Sequence, residues 1–140
     1  MRLTTTNVLL FVFITLSFIA VPLSAADEEE APLQAIYFEF PEAFTINFLS
    51  QSKKKVRYLQ IKVSLMARNS EIISSAELNL PMLEDALRTL FSNQSFEEIT
   101  SVKGRKALQA NALSTIKVIL KEETGQDNVD AVYFTSFILQ

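Results

Sequence analysis

The feature that most constrains this chain is an uncharged apolar run near its start. No charged residue occurs from Val8 to Ala26, a run of 19 residues. A helix of that length spans roughly 28 Å, close to the thickness of a hydrocarbon core. A soluble core helix of this length normally has a polar face, and this run offers only a few hydroxyl groups. We therefore expect the segment to enter a membrane.

Residues 1–26 have two possible fates, a cleaved signal peptide or an uncleaved transmembrane anchor. Arg2 at the start, Pro22, and small residues at the end are typical of a signal peptide, which the residues alone slightly favour. The run is also long enough to span a membrane and remain there. In both cases the acidic run Asp27–Glu30 emerges on the side opposite the positive N-terminus. We expect residues 27–34 to form an acidic linker and residues 35–140 to form an extracytoplasmic domain.

Missing residue types exclude several functions. The 140 residues contain no His, no Cys and only two glycines, Gly104 and Gly125. This composition rules out a disulfide framework, a Ser-His-Asp triad, a zinc site with nitrogen and sulfur ligands, and a glycine-rich phosphate loop. The formal net charge of −3 lacks the basic footprint that nucleic acids require. We expect no cofactor, no bound metal and no nucleic-acid partner.

Alternation with period two predicts strands in the first part of the domain. Apolar and polar residues alternate over residues 35–40 and 44–48, which indicates two short strands or one strand with a bulge near Pro41. Lys53–Lys55 is interpreted as a solvated turn, with a patch for anionic headgroups or another subunit as the alternative. The clearest strand covers residues 56–67. Its apolar face comprises Leu59, Ile61, Val63, Leu65 and Ala67, and its other face Tyr58, Gln60, Lys62, Ser64 and Met66.

Helical spacing follows these strands. Pro81 suits a first helical turn. Ser95 and Glu98 have the spacing of a capping box, which predicts a short helix over residues 96–100. The longest helix is predicted over residues 103–123, with Gly125 as its C-terminal cap. The apolar stripes are Leu83, Leu87, Leu90 and Phe91 on the first helix and Leu108, Ala112, Ile116, Ile119 and Leu120 on the last.

Residues 129–139 predict a closing strand that is apolar on both sides. Simple alternation places Val132, Phe134 and Ile138 on one face and Val129, Tyr133, Phe137 and Leu139 on the other. Such a strand is central, or it has one face against helices and the other against a neighbour. Strands, then helices, then one strand predict an α+β domain in which two or three helices cover one face of an antiparallel sheet.

The carboxylates give no sign of a catalytic centre. Glu84–Asp85, Glu97–Glu98 and Glu122–Glu123 are adjacent pairs, and neighbours on a helix point about 100° apart, so we interpret them as solvated. The region around Asp127 and Asp130 lacks the glycine and the distal glutamate of a calcium loop. We predict no catalytic, cofactor-binding or metal-ligating residue and no enzyme. A hydrolase using carboxylates alone rests on little beyond the presence of Asp and Glu.

Three stretches, taken in order, resemble the FliL family of flagellar basal-body proteins. RYLQIKVSL at residues 57–65 is similar to the long central strand of that family. LPMLEDALRTLFSNQSFEEITSVKGRKAL at 80–108 resembles its helix, short turn and entry into the last helix. VYFTSFILQ at 132–140 is similar to its closing strand. The resemblance covers about residues 34–140.

The resemblance implies a non-catalytic protein of the flagellar motor. It implies a single-pass inner-membrane protein, anchored through residues 8–26, whose periplasmic domain resembles the stomatin-type (SPFH) fold. It further implies a homo-oligomeric ring around the stator units of the basal body that supports torque generation, rotation and swarming. The Phe-rich strands and a cleavable signal leave one alternative, a periplasmic carrier of a lipid or small ligand.

Overall fold

The chain follows the predicted order of strands, helices and a closing strand. A computed structural model describes residues 34–48 and 56–140. The elements are β1 Ile36–Glu39, β2 Phe44–Asn47, β3 Tyr58–Ala67, α1 Ser70–Leu78, α2 Leu80–Ser92, α3 Phe96–Thr100, α4 Val102–Thr124 and β4 Val129–Leu139. The predictions for residues 1–26, for nearly all of the acidic linker and for Lys53–Lys55 lie outside the described residues. Within the described part, no helix is both long and apolar enough to cross a membrane.

β3 is the central strand of an antiparallel sheet. β4 pairs with one side of β3, while β1 and β2 pair in succession along the other side. Phe40 pairs with Val63 and Phe44 with Ile61, so the connection around Pro41 adds two residues opposite Lys62. Because an insertion of two residues preserves the period of a strand, the apolar residues of β1 and β2 remain on the same face. This geometry confirms the interruption that the alternation predicted near Pro41.

β4 departs from simple alternation at two β-bulges. The register with β3 shifts between Lys62 and Val63 and again between Met66 and Ala67. Each bulge adds one residue to β4, Thr135 at the first and Asp130 at the second, and reverses the side to which later residues point. The predicted assignment of faces is therefore wrong. The core-facing residues are Val129, Val132, Phe134, Phe137 and Leu139, whereas Ala131, Tyr133, Ser136 and Ile138 lie on the other face.

The helices begin and end at recognisable caps. Ser95 and Glu98 form the predicted capping box of α3, and Ser101 accepts a 2.9 Å hydrogen bond from the Gly104 N–H at the start of α4. Gly125 ends α4 with φ 76°, a left-handed conformation that favours glycine. Four helices cover the sheet in the described part, not two or three, because α1 was not predicted. Its Asn69 cap accepts from the Glu71 N–H at 2.8 Å.

One hydrophobic core lies between the sheet and the helices. The inward residues of β3 belong to one buried cluster with Ile72 of α1, Leu87 of α2, Ile99 of α3 and Ile116 of α4, all fully buried. Phenylalanine rings link the layers, since Phe91 of α2 contacts Phe44 and Phe134 edge to face, with centroids 5.2 and 5.8 Å apart. The predicted stripe of α4 is confirmed except at Ile119, which is half-buried. The sheet face away from this core has no helix over it in the described part of the chain.

Candidate interaction surfaces

The open face of the sheet carries all three tyrosines of the chain. Tyr37 of β1, Tyr58 of β3 and Tyr133 of β4 are 59%, 42% and 39% exposed. Every phenylalanine within residues 34–48 and 56–140 is instead buried or half-buried. Aromatic rings are thus divided by type, with phenylalanine in the core and tyrosine outside. We name this surface, formed by Tyr37, Tyr58, Tyr133, Met66 and Ile138, the tyrosine face.

Two of these tyrosines form a cluster across β3. The rings of Tyr37 and Tyr133 lie 6.2 Å apart between centroids, and the Tyr133 hydroxyl lies 3.9 Å from the Met66 sulfur. Met66 is the cross-strand partner of Tyr37, and Ser64, the partner of Tyr133, is only 3% exposed. A tyrosine offers a large apolar ring with a polar tip, the combination that is enriched in protein–protein interfaces. The cluster therefore forms an ordered aromatic surface that is exposed to solvent.

A groove follows the outer edge of β4. Its volume is about 380 Å³, and it is lined by Val102, Arg105, Lys106, Gln109, Tyr133, Phe134 and Phe137. The N-terminal half of α4 forms one wall and β4 the other. The Arg105 guanidinium lies 5.6 Å from the centroid of the Phe137 ring, within cation–π range. The groove is therefore apolar at its floor and positively charged at its rim.

The carboxylate pairs have ordinary structural surroundings. Glu98 accepts hydrogen bonds from the Ser95 hydroxyl and N–H as part of the α3 capping box, and its partner Glu97 is exposed. Asp127 lies 3.8 Å from Lys121 and Asp130 lies 3.9 Å from Arg68, both in exposed ion pairs. Glu84 is half-buried, whereas Asp85, Glu122 and Glu123 are exposed. Within the two described ranges, no three acidic side chains are grouped so that they could hold a metal ion.

Sequence reasoning underestimated the tyrosines. The alternation placed Tyr58 on the polar face of its strand and grouped Tyr133 with Val129, Phe137 and Leu139, and it assigned no role to Tyr37. The only signal was their placement at alternate positions opposite the apolar face of each strand. For Tyr133 even that signal was obscured, because the bulges of β4 change which residues of β4 lie on the same face as Tyr133.

The fold and these surfaces define a class, a small α+β domain with an exposed aromatic sheet face and a groove with a basic rim beside β4. The chain belongs to the family described as flagellar basal body-associated protein FliL, whose model matches residues 37–140. This match confirms the resemblance carried by the central strand, the helix entry and the closing strand.

Two curated proteins illustrate the relationship. The chain is 30% identical over 109 residues to the flagellar protein FliL of Aquifex aeolicus (strain VF5), a match that covers 78% of this chain and 64% of that protein. It is 23% identical over 90 residues to the flagellar protein LafL of Vibrio parahaemolyticus serotype O3:K6, covering 64% of this chain and 54% of that protein. The matches span less than two thirds of the length of each relative.

Proposed function

We propose that this chain is a non-catalytic structural protein that surrounds and supports the stator units of the flagellar motor, aiding torque generation, rotation and swarming. Membership of the basal body-associated family places it among flagellar proteins. The observation that carries the finer proposal is the tyrosine face, an exposed aromatic surface on a sheet whose other face is already covered. Its work would consist of contacts with stator proteins, the basal body and further copies of itself.

The proposed location is the inner membrane, with the domain on the periplasmic side. The support is the uncharged run over residues 8–26, followed by the acidic run Asp27–Glu30. A single span would hold the domain next to other membrane proteins of the motor. N-terminal sequencing of the chain from membrane and soluble fractions tests this location. We expect the membrane fraction to retain Met1, whereas a soluble chain beginning after Ala26 would contradict the anchor.

Motility assays test the proposed role. Deleting the gene should slow swimming and swarming, because a support for the stator matters most under load. Unchanged motility of the deletion strain in viscous medium would contradict the proposal. Complementation with the Tyr37→Ser, Tyr133→Ser double variant should then fail to restore swarming while the protein accumulates to its normal level.

The matched control changes two exposed apolar residues on the helical side. Leu78→Ser combined with Met82→Ser removes side chains that are 84% and 45% exposed, at the end of α1 and in α2. This variant should restore swarming fully. An equal loss of swarming in both double variants would mean that the tyrosine face has no special role.

A second candidate function is a carrier of a lipid or small ligand. Native mass spectrometry of the purified chain distinguishes this function from the structural role. The hollow along α4 has a volume of about 400 Å³, and its lining mixes Leu113 and Val118 with charged residues, including Lys117, Lys121 and Glu122. A drug-sized ligand normally occupies a cleft or cavity that buries most of its surface, whereas this hollow is open to solvent along the helix. A retained lipid would favour the carrier, whereas a homo-oligomer without ligand would favour the structural role.

A further inference from the structure

Met66 is the single methionine of the four strands, and it belongs to the aromatic cluster of the tyrosine face. Its cross-strand partners are Tyr37 on β1 and Ala131 on β4. The Tyr133 hydroxyl lies 3.9 Å from the Met66 sulfur, and the centroids of the Tyr37 and Tyr133 rings are 6.2 Å apart. Met66 therefore lies between the two tyrosines, on the strand that separates β1 from β4.

The Met66 side chain is open to small molecules from solvent. It is half-buried, whereas its neighbours along β3, Leu65 and Ala67, are fully buried. Directly across on β4, Ala131 carries only a methyl group and is itself half-buried, so it adds little cover to the thioether. A molecule of the size of hydrogen peroxide can therefore reach the Met66 sulfur from the open face of the sheet.

A solvent-accessible thioether reacts with peroxides to form a sulfoxide. The lone pair of the sulfur forms a bond to one peroxide oxygen while the O–O bond breaks, and the other oxygen leaves as water. The sulfur is thereby oxidised by two electrons and the peroxide is reduced. Two thiols of a methionine sulfoxide reductase system reverse the step, forming a disulfide and water. The chain contains no cysteine, so it offers no thiol of its own that would consume the peroxide or reverse the reaction.

The sulfoxide changes the chemistry of the tyrosine face. A thioether sulfur is a weak hydrogen-bond acceptor, whereas a sulfoxide oxygen is strongly polar, and the Tyr133 hydroxyl is a donor next to it. A partner that covers Met66 must then remove water from a polar group, which opposes binding unless the partner supplies a matching donor. Oxidation therefore weakens a contact that depends on the apolar surface around Tyr37 and Tyr133.

We propose that Met66 is a reversible oxidation site through which peroxide switches off the contacts of the tyrosine face. In the reduced chain, Met66 completes an apolar surface between Tyr37 and Tyr133. In the oxidised chain, the same position carries a polar oxygen, and a sulfoxide reductase restores the thioether. This inference rests on the proposed function, because the contacts that it regulates are those that the proposed function assigns to the tyrosine face.

Peptide mass spectrometry of the full-length chain, purified in detergent and treated with hydrogen peroxide, tests the reaction. Met66 should gain one oxygen atom, and a thiol-dependent methionine sulfoxide reductase should remove it. Met82 of α2, which is 45% exposed, is the reference for a freely accessible methionine. Circular dichroism melting should show that the oxidised chain remains folded. A Met66 that stays reduced in the folded chain after Met82 is fully oxidised would overturn the inference.

Swarming of the deletion strain carrying each variant tests the consequence. Met66→Gln introduces a polar, unbranched side chain of similar length and should fail to restore swarming although the protein accumulates normally. The matched control Met82→Gln makes the same change on the helical side and should restore swarming. In the Met66→Leu strain, which cannot form the sulfoxide, swarming should be the same with and without sublethal hydrogen peroxide. The strain with the wild-type chain should lose swarming in peroxide.

Two results of the swarming assay would overturn the inference. One is full swarming of the Met66→Gln strain, and the other is equal loss of swarming in peroxide by the Met66→Leu and wild-type strains. Neither result contradicts the proposed function if the Tyr37→Ser, Tyr133→Ser double variant still fails to restore swarming. The tyrosine face would then make its contacts without a switch at Met66, so the failure of this inference is distinguishable from the failure of the proposed function.

Discussion

Gly104, the third residue of α4, lies against the backbone of Glu98 in α3. A Cβ atom added there would fall 1.8 Å from the carbonyl oxygen of Glu98, 2.6 Å from its carbonyl carbon and 2.9 Å from the Ser101 hydroxyl oxygen. The nearest obstacle is backbone, which cannot rotate away as a flexible side chain can. Gly104→Ala must therefore push the end of α3 away from the start of α4.

The expected destabilisation follows from opposing contributions. The Glu98 carbonyl must move by about 1.2 Å to reach 3.0 Å, below which real Cβ atoms are almost never found, and overpacking of this kind costs about 1–3 kcal/mol. That carbonyl also accepts hydrogen bonds from the Ser101 N–H and hydroxyl, at 3.2 and 2.9 Å, each worth about 1 kcal/mol. Alanine regains about 1 kcal/mol of helix propensity over glycine. We expect a net loss of about 2 kcal/mol, which lowers Tm by about 10 °C in a domain of this size.

Thermal melting followed by circular dichroism at 222 nm measures this effect in the purified chain. Two control variants measure the backbone strain and the helix propensity separately. Gly125→Ala has no atom within 4 Å of the new Cβ but keeps φ at +76°, so it should cost about 1 kcal/mol through backbone strain alone. Ala110→Gly on the exposed side of α4 measures the propensity term, also about 1 kcal/mol. A Gly104→Ala chain that melts at or above the wild-type temperature would refute the reasoning, because propensity would then outweigh the clash.

Three further substitutions test the core and the caps. Leu87→Ala removes a fully buried side chain of α2 and should lower the free energy of unfolding by about 2–5 kcal/mol in urea titrations. Phe134→Asp places a charge beside the Phe91 and Phe137 rings, with centroids 5.8 and 5.9 Å away, and should unfold the domain or abolish assembly; a folded, functional product would contradict its place in the core. Ser95→Ala removes the α3 capping box and should cost about 1 kcal/mol in the same titration.

Short-range sequence patterns correctly predicted the elements whose position depends on residues close together in the chain. The alternation over residues 56–67 corresponds to β3, Tyr58–Ala67, with the correct faces. The Ser95–Glu98 spacing and Gly125 correspond to real caps. α1 was missed because Ser70, Ser74 and Ser75 weaken its helix propensity. Its signals were the Asn69 cap and the buried pair Ile72 and Ala76, four residues apart on one face.

The pairing of β4 with β3 decided which residues of β4 face the core, and the local sequence patterns could not predict this. The bulges at Thr135 and Asp130 are defined by the register with β3, and no run of residues within β4 indicates them. Of the two positions predicted for this strand, the central one is not observed in the described part, where β4 pairs with β3 alone. Its apolar residues are instead gathered by the bulges onto one face, under the helices.

The sequence by itself determined the family, the order of strands and helices, and the residue types available for chemistry, because periodicity, caps and composition are properties of neighbouring residues. Only the tertiary structure decided that tyrosine and phenylalanine occupy opposite faces of the sheet and that Gly104 meets the Glu98 carbonyl. These features depend on strand register and on the packing of α3 against α4, which the local patterns of the sequence do not specify.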